Sequence, residues 1–370
     1  MRLIRLTFAA IVFSVAGLSQ SGSKPEPDVL IFTDGEKLIG HLKRSNGASV
    51  TFKSDMAGEV TVEWGKIKEL HSSQRFAVIR KDMKVRKHLD PSTIPQGALS
   101  MTDQKLEVKP GGRALLIIPV GDAANVIDAS DFQKDIGHPG FFEDWKGAIT
   151  GGVSLVESTQ KSRTFNSGLH FVRAIPTADW LEPRNRTIVD FGAAYGKVIQ
   201  PGVEDVKTEI YHFGAERDQY LSPRGFGFGQ LSYDHNFSQG LSLQQNYGGG
   251  FGWVAFKEDD QELDLKASTT YIRQSFQQSK NNQSLIGATV AQSYYRKFSH
   301  GILFVEQLAF TPAFNNTNGY SAFGNAGLTI PFYKRLNYST GIVDNFLNDP
   351  PPGFKKNSFQ FTTGVTYTLP

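Results

Sequence analysis

The C-terminal stretch Ser358–Leu369 alternates between two kinds of residue. Phe359, Phe361, Val365, Tyr367 and Leu369 share one parity, broken only by Thr363. Ser358, Gln360, Thr362, Gly364, Thr366 and Thr368 share the other. A period of two marks a β-strand with unlike faces. This strand is longer than a usual globular strand and about long enough to cross a bilayer at a tilt. A greasy strand at the extreme C-terminus is where an outer-membrane barrel closes on its first strand. The expectation is therefore a barrel, with the preceding chain either building it or hanging from it.

Composition agrees without deciding. Glycine (37 residues) and aromatics (12%) are abundant, yet mean hydropathy is negative. A helical membrane protein needs apolar runs of about 18 residues, and none is present. A barrel dilutes its hydropathy because half of each strand faces a polar interior. A large soluble β-protein has a similar composition. Cysteine is absent, which excludes disulfides, thiol chemistry and a lipoprotein anchor. The net charge of +3 gives no argument for a nucleic-acid partner.

Residues 1–20 carry Arg2 and Arg5, a short apolar run from Leu6 to Leu18, and small residues after it. This is the pattern of a secretory signal peptide; the run is too short to span. Residues 28–72 then show short strands cut by tight turns, with Asp34-Gly35 and Asn46-Gly47 as hairpin signals. They read as a small Sm-like or SH3-like β-module. Residues 75–128 read as a second, divergent copy, in which Phe76–Arg80 matches Val29–Phe32 and Gln96–Val108 matches Ile39–Phe52. This copy carries Arg80, Lys81, Lys84, Arg86 and Lys87, a candidate patch for anionic headgroups or cell-wall polymers, or else a solvated strand face. Residues 129–144 read as a linker with a short helix near Ser130–Asp135.

From residue 145 to 370 the pattern is long strands separated by turn residues, about twelve in number. They run over Trp145–Val156, Thr164–Ile175, Thr187–Val198, Thr208–Tyr220, Phe226–Phe237, Leu241–Phe256, Glu262–Phe276, Leu285–Lys297, Ile302–Thr311, Tyr320–Ile330, Arg335–Phe346 and Ser358–Leu369. Polar residues in mid-strand, namely His170, Asp190, Asp264 with Lys266, and Gln292, are candidates to face a lumen. The strand ending at Thr311 is ambiguous, because Glu306 shares a face with Phe304, Leu308 and Phe310. An even strand count returns the chain to its starting side. The last strand also fits the signal read by the outer-membrane assembly machinery, with Thr362, Gly364, Tyr367 and Leu369 at the defined positions. Leu369 stands where an aromatic is preferred, and Pro370 adds one residue.

Asp28–Gly40, Phe52–Trp64 and the run Asp344–Ser358 resemble domain-of-unknown-function family 481, described as salt-induced outer-membrane proteins. The resemblance implies an outer-membrane β-barrel and supplies no catalytic residues.

A search for chemistry finds little. Asp234, His235 and Ser238 are neighbours, but Asp234 and His235 point to opposite faces and Ser238 falls in a turn. Residues 258–262 are acidic but lack an interleaved ligand–glycine pattern and read as a charged turn. The sequence-level expectation is all-β: a transmembrane barrel preceded by one or two small β-modules in the periplasm. No catalytic residues, metal or cofactor are expected. The expected partners are outer-membrane lipid, the assembly machinery, and a cell-wall polymer or periplasmic protein. Alternatives are a lipid-modifying barrel enzyme and a soluble polysaccharide-binding β-protein.

Overall fold

A computed structural model describes residues 26–83, 91–111, 114–137, 140–157, 161–199 and 206–369, apart from single positions 177, 179, 182 and 259. The signal-peptide reading, and the basic residues Lys84, Arg86 and Lys87, lie outside the described residues. The chain divides into two compact units, residues 1–136 and 137–370. Among the described residues no helix is long and apolar enough to cross a membrane.

The first unit contains β1 (Asp28–Phe32), β2 (Lys37–Asn46), β3 (Ser49–Ser54), β4 (Gly58–Glu63), β5 (Ile67–Arg80), β6 (Gln96–Thr102), β7 (Lys105–Lys109), β8 (Leu116–Pro119) and β9 (Ala123–Asp128). A helix, α1 (Ala129–Ile136), ends it. The sheet runs β4-β3-β2-β1-β5-β6-β7-β8, and β9 pairs with both β2 and β5. The long strand β5 explains this order. Its first half pairs with β1 through Val29↔His71 and Leu30↔Leu70, and its second half with β9 through Phe76↔Asp128 and Val78↔Val126. Two five-strand circuits, β1–β5 and β5–β9, thus share one strand. Each has a 3₁₀ turn directly before its fifth strand, Trp64–Lys66 in one and Val120–Asp122 in the other. A register shift between Ser72 and Arg75 marks the joint. One core joins both circuits: Leu30, Phe52, Leu70, Phe76, Leu99, Met101 and Val126 are buried together. The turns follow local chemistry. Asn46 Oδ1 accepts from the amides of Ala48 and Ser49, and Gly35 takes φ +93°, which a side chain would resist.

The segment expected as a linker divides between the units. Its first half is α1, whose N-terminus is capped by Asp128 Oδ1 accepting from the Ser130 amide at 2.8 Å. Phe132 on α1 is buried, and the helix packs against β5 and β9.

Asp28 is buried at the start of β1. Its Oδ2 accepts from the Leu42 amide at 2.7 Å, and its Oδ1 accepts from Ser72 Oγ at 2.5 Å. Burial raises its pKa above the ordinary carboxylate value, and the two hydrogen bonds offset only part of that. The folded state therefore holds this proton to higher pH than the unfolded chain does. The stability this supplies is present below the ordinary aspartate pKa and is lost as pH rises through the raised folded value. Asp28→Asn keeps an acceptor for the Leu42 amide and turns the other hydrogen bond round, its side-chain NH2 donating to Ser72 Oγ. It is expected to flatten the pH dependence of this unit's stability across that window, as read by amide exchange of the core strands β1 and β5.

The second unit is a closed antiparallel barrel of twelve strands, β10 to β21. These are β10 (Lys146–Glu157), β11 (Lys161–Ile175), β12 (Asn185–Ile199), β13 (Val206–Tyr220), β14 (Gly225–Asn236), β15 (Leu241–Lys257), β16 (Gln261–Phe276), β17 (Gln283–Lys297), β18 (Leu303–Thr311), β19 (Ser321–Tyr333), β20 (Leu336–Leu347) and β21 (Asn357–Leu369). Closure pairs the first strand with the last, from Gly147↔Leu369 to Gly151↔Val365.

The alternation becomes two surfaces. Ile149, Phe165, Phe213, Phe251, Val290, Phe310, Phe361 and Val365 point outward and are exposed. A soluble protein does not leave so continuous a band of large apolar side chains in water. A bilayer provides its solvent, and the barrel shape satisfies every strand edge inside it. Thr363, the polar exception on β21, donates its hydroxyl hydrogen to Tyr338 Oη at 2.7 Å on the neighbouring strand. Two expectations meet correction or resolution here. Gln292 does not face the lumen: on β17 the buried inward residues are Leu285 and Thr289, so residues of even number, Gln292 included, face out with Ile286 and Val290. Glu306 pairs with Tyr294 and shares the outward face of Leu308 and Phe310.

Candidate functional site in the barrel lumen

The inward faces of the strands carry polar and charged side chains among small apolar clusters, and three groups of residues cross or line the lumen. The first lies near the end where β10 begins and β21 ends. Arg186 enters from β12. Its Nε donates to Asp218 Oδ2 of β13 at 2.7 Å, its Nη1 to Glu262 Oε1 of β16 at 3.1 Å, and its Nη2 to Asp264 Oδ2 of β16 at 2.6 Å. Strands β12 and β16 are four apart in the barrel order, so this side chain ties the wall across the lumen. Beneath it Phe226, Phe228 and Val254 from β14 and β15 form a buried apolar floor. The guanidinium carbon sits 5.4 Å from the Phe226 ring centroid and 6.0 Å from that of Tyr220. A second tie runs beside it: Lys266 Nζ donates to both carboxylate oxygens of Glu216 at 2.8 and 2.9 Å. Arg186 is 13% exposed and Asp218 not at all, so these charges are shielded from water. Paired and hydrogen-bonded in this way, they hold the wall in one geometry.

The second group is a polar band on β11 to β15. His170 Nδ1 meets Asp190 Oδ1 at 2.5 Å, and His212 Nδ1 meets Asp234 Oδ1 at 2.6 Å. Each pair sits directly across a strand boundary, at His170↔Asp190 and His212↔Asp234. Asp234 Oδ2 also accepts from Ser232 Oγ at 3.1 Å and from Asn246 Nδ2 at 3.2 Å. The imidazoles are 49% and 46% exposed although they point inward, so the lumen admits water at this level. A carboxylate on Nδ1 fixes each ring and leaves Nε2 toward the lumen. Among the described residues no hydroxyl is hydrogen-bonded to either ring.

The third group closes part of the far mouth. The turn between β14 and β15 folds inward and meets β20 and β21, half the barrel circumference away. Gln239, buried, donates to the carbonyls of Asn345 at 3.0 Å and Lys356 at 2.7 Å. Ser238 Oγ lies 3.3 Å from Ser358 Oγ. Leu241, Phe276 and Leu347 pack together below the turn. Gly240 has φ +67°, and a Cβ there would meet the Phe354 ring at 2.8 Å, so only glycine fits this contact.

The remaining walls carry hydroxyl ladders. Thr150, Thr366 and Ser339 link β10, β21 and β20 at 2.8 and 2.9 Å. Thr270, Thr289 and Thr311 link β16, β17 and β18 at 2.9 Å each.

Of the residues singled out in the sequence, His170 and Asp190 come together as one pair. Asp264 and Lys266 both face inward but serve different partners, Arg186 and Glu216. Glu262 leaves the acidic turn for the lumen, while Glu258 accepts from the Gln261 side chain at 2.6 Å. His235 does point away from Asp234, against Tyr211. Arg80 ends β5 and pairs with Asp82 at 2.9 Å, both exposed, and Lys81 lies beside it. Arg186, Glu216 and Asp218 were not found from sequence. Arg186 looked like the end of a loop, and only its even parity with Asp190 on β12 signalled an inward position.

Thr362 and Gly364 face the lumen from β21, and Tyr367 and Leu369 face out. A Cβ at Gly364 would come 2.5 Å from the Gly151 carbonyl oxygen and 3.2 Å from Gly152 Cα on β10. A Cβ at Gly152 would in turn come 2.3 Å from the Thr363 carbonyl oxygen. The closing seam thus needs a hydrogen at both positions. Gly364→Val is expected to cost about 1–3 kcal/mol through overpacking against backbone. It should lower the fraction of protein that migrates as the compact, heat-modifiable form on a gel.

Residues 157–369 match the family described as protein of unknown function, DUF481. The chain belongs to this family. No curated protein matches the DUF481 chain. The likeness to solved structures is loose. The COG4313 outer membrane channel from Pseudomonas putida F1 is 12% identical over 63% of this chain and 100% of that one, with a TM-score of 0.36. The translocator domain of autotransporter NalP from Neisseria meningitidis is 11% identical over 61% and 87%, with a TM-score of 0.34. The beta domain of the Bordetella autotransporter BrkA is 11% identical over 61% and 98%, with a TM-score of 0.31. The barrel of this DUF481 protein stands on its own strand pairing, and it is of the outer-membrane type.

Proposed function

We propose that this protein is a non-enzymatic outer-membrane barrel whose lumen is narrowed by its own side chains, serving envelope integrity under osmotic stress rather than bulk transport. The observation that carries this reading is the Arg186 tie from β12 to Asp218 and to Glu262 and Asp264 of β16. A wide pore keeps such charges on its walls and in water, whereas here they meet across the lumen over an apolar floor. The turn at Gln239 adds a second constriction at the other mouth. The exposed imidazoles between them give the lumen a hydrated compartment that admits water and small polar solutes. On this reading the sheet of β1 to β9 lies in the periplasm.

Recording from planar bilayers tests it. The intact protein is expected to give small or no steady conductance, and Arg186→Ala combined with Gln239→Ala to raise it several-fold. A large steady conductance from the intact protein overturns the reading. Recovery of the protein from the soluble periplasm rather than the outer-membrane fraction overturns the membrane placement itself.

The histidine–aspartate pairs favour one second reading, a lipid-modifying enzyme. It requires a nucleophile within reach of a ring Nε2. Altered lipid profiles in a deletion strain, restored by the intact protein but not by His212→Ala, would establish that reading in place of the first.

A further inference from the structure

We propose that the turn just ahead of the barrel, residues 140–145, is a lipid-interface anchor whose aromatic face beds in the phospholipid headgroup boundary. The proposal rests on the membrane reading of the barrel and adds a contact outside its strands. The turn has its own fixed shape. The Glu143 amide donates to the Gly140 carbonyl at 3.1 Å, and the Gly140 amide donates to Glu143 Oε2 at 2.8 Å. Trp145 Nε1 donates to the Phe141 carbonyl at 2.9 Å. Phe141 and Phe142 meet edge to face at 5.1 Å, and Phe141 and Trp145 at 6.4 Å.

The turn is also fastened to the outside of the barrel. Arg173 on β11 has the parity of the outward residue Phe165, not that of the inward His170. Its Nε donates to the Glu143 carbonyl at 2.9 Å and its Nη2 to the Gly140 carbonyl at 2.7 Å, and it is buried there. The clamp sits near the end of β11, at the rim of the apolar band.

This geometry sorts the turn's groups by solvent. The Glu143 carboxylate folds back onto a backbone amide. The two phenylalanines are left outside, Phe141 at 68% and Phe142 at 89% exposed. Arg217 on β13 adds an exposed guanidinium on the same outward face, held by Thr187 Oγ1, where anionic headgroups would lie. Aromatic rings at the edge of a lipid-facing band, with a cation on the same outward face two strands away, match the boundary layer of a bilayer. A protein partner has no comparable argument, since the patch continues the surface the lipid already wets.

The chain contains no cysteine, so Phe142→Cys takes a unique nitroxide label. The full-length labelled protein is placed in phosphatidylethanolamine–phosphatidylglycerol vesicles. Collision rates are read with oxygen, which concentrates in lipid, and with a nickel chelate, which stays in water. A second label at Phe361→Cys reports the mid-strand lipid face. The anchor predicts oxygen access above nickel access at both positions. Nickel access above oxygen access at residue 142 alone overturns the anchor and leaves the barrel reading standing. Low access to both reagents at residue 142 means that protein covers the patch, which also overturns it. Nickel-dominated access at residue 361 overturns the membrane reading, and the anchor with it.

Discussion

Arg186→Ala is expected to lower the stability of the barrel by about 3–5 kcal/mol, because it leaves buried carboxylates without their cation. Asp218 and Asp264 are buried, and among the described residues their Oδ1 atoms have no hydrogen-bond partner, so the guanidinium is their main compensation. The loss is read as a fall in the temperature at which the compact gel form converts to the extended one. The pattern of rescue separates charge from packing. Combining Arg186→Met with Asp218→Asn and Asp264→Asn removes the cation and the two buried charges together, and should recover most of the lost stability. Lys266→Ala strands only Glu216 and should cost less. If Arg186→Ala and the triple variant fall equally, stranded charge is not the source of the loss and the electrostatic account fails.

Phe361→Arg is expected to cost about 2–4 kcal/mol of folding stability in a bilayer, the range for a cation placed near the midplane on a barrel's lipid face. Phe361 lies in the interior of β21, paired with Ile342, and points outward. The neighbouring Gln360→Arg differs by a single position and turns its charge into the lumen. It should be nearly neutral. Urea titration of folding into phospholipid vesicles measures both. Equal effects at 360 and 361 would mean that the two faces of β21 meet the same solvent, contrary to the barrel.

Much of this fold is written in parity. A strand whose faces meet lipid and water must alternate, so all twelve barrel strands and most of their ends could be read from residues such as Val189, Phe191 and Tyr195. The same rule, applied carelessly, put Gln292 in the lumen, although its even number places it with Ile286 and Val290. The sharing of β5 was harder to see. Turn residues mark where strands end, but nothing local tells that Ile67–Arg80 runs on past a register shift to serve two circuits. The lumen ties were the least legible. Arg186 and Asp264 meet because a closed sheet curves, and that contact depends on strands four apart rather than on any spacing along the chain. Gln239 is the same case at the other mouth, reaching half the circumference to Lys356.

Closure of the sheet on itself is the claim on which all of this depends, and a pair of cysteines tests it most directly. Thr150 on β10 and Thr366 on β21 are register partners with their hydroxyls 2.8 Å apart inside the lumen, 216 residues apart in sequence. Directly paired strand residues have Cα separations within disulfide range, and the chain has no other thiol. With Thr150→Cys and Thr366→Cys, mild oxidation of isolated membranes should give an intramolecular disulfide that reduction reverses. Thr289→Cys with Thr311→Cys, on the adjacent strands β17 and β18, provides the positive control. A cross-link in both pairs is the predicted result. A cross-link in the control pair, with free thiols persisting at 150 and 366, would contradict the closed barrel.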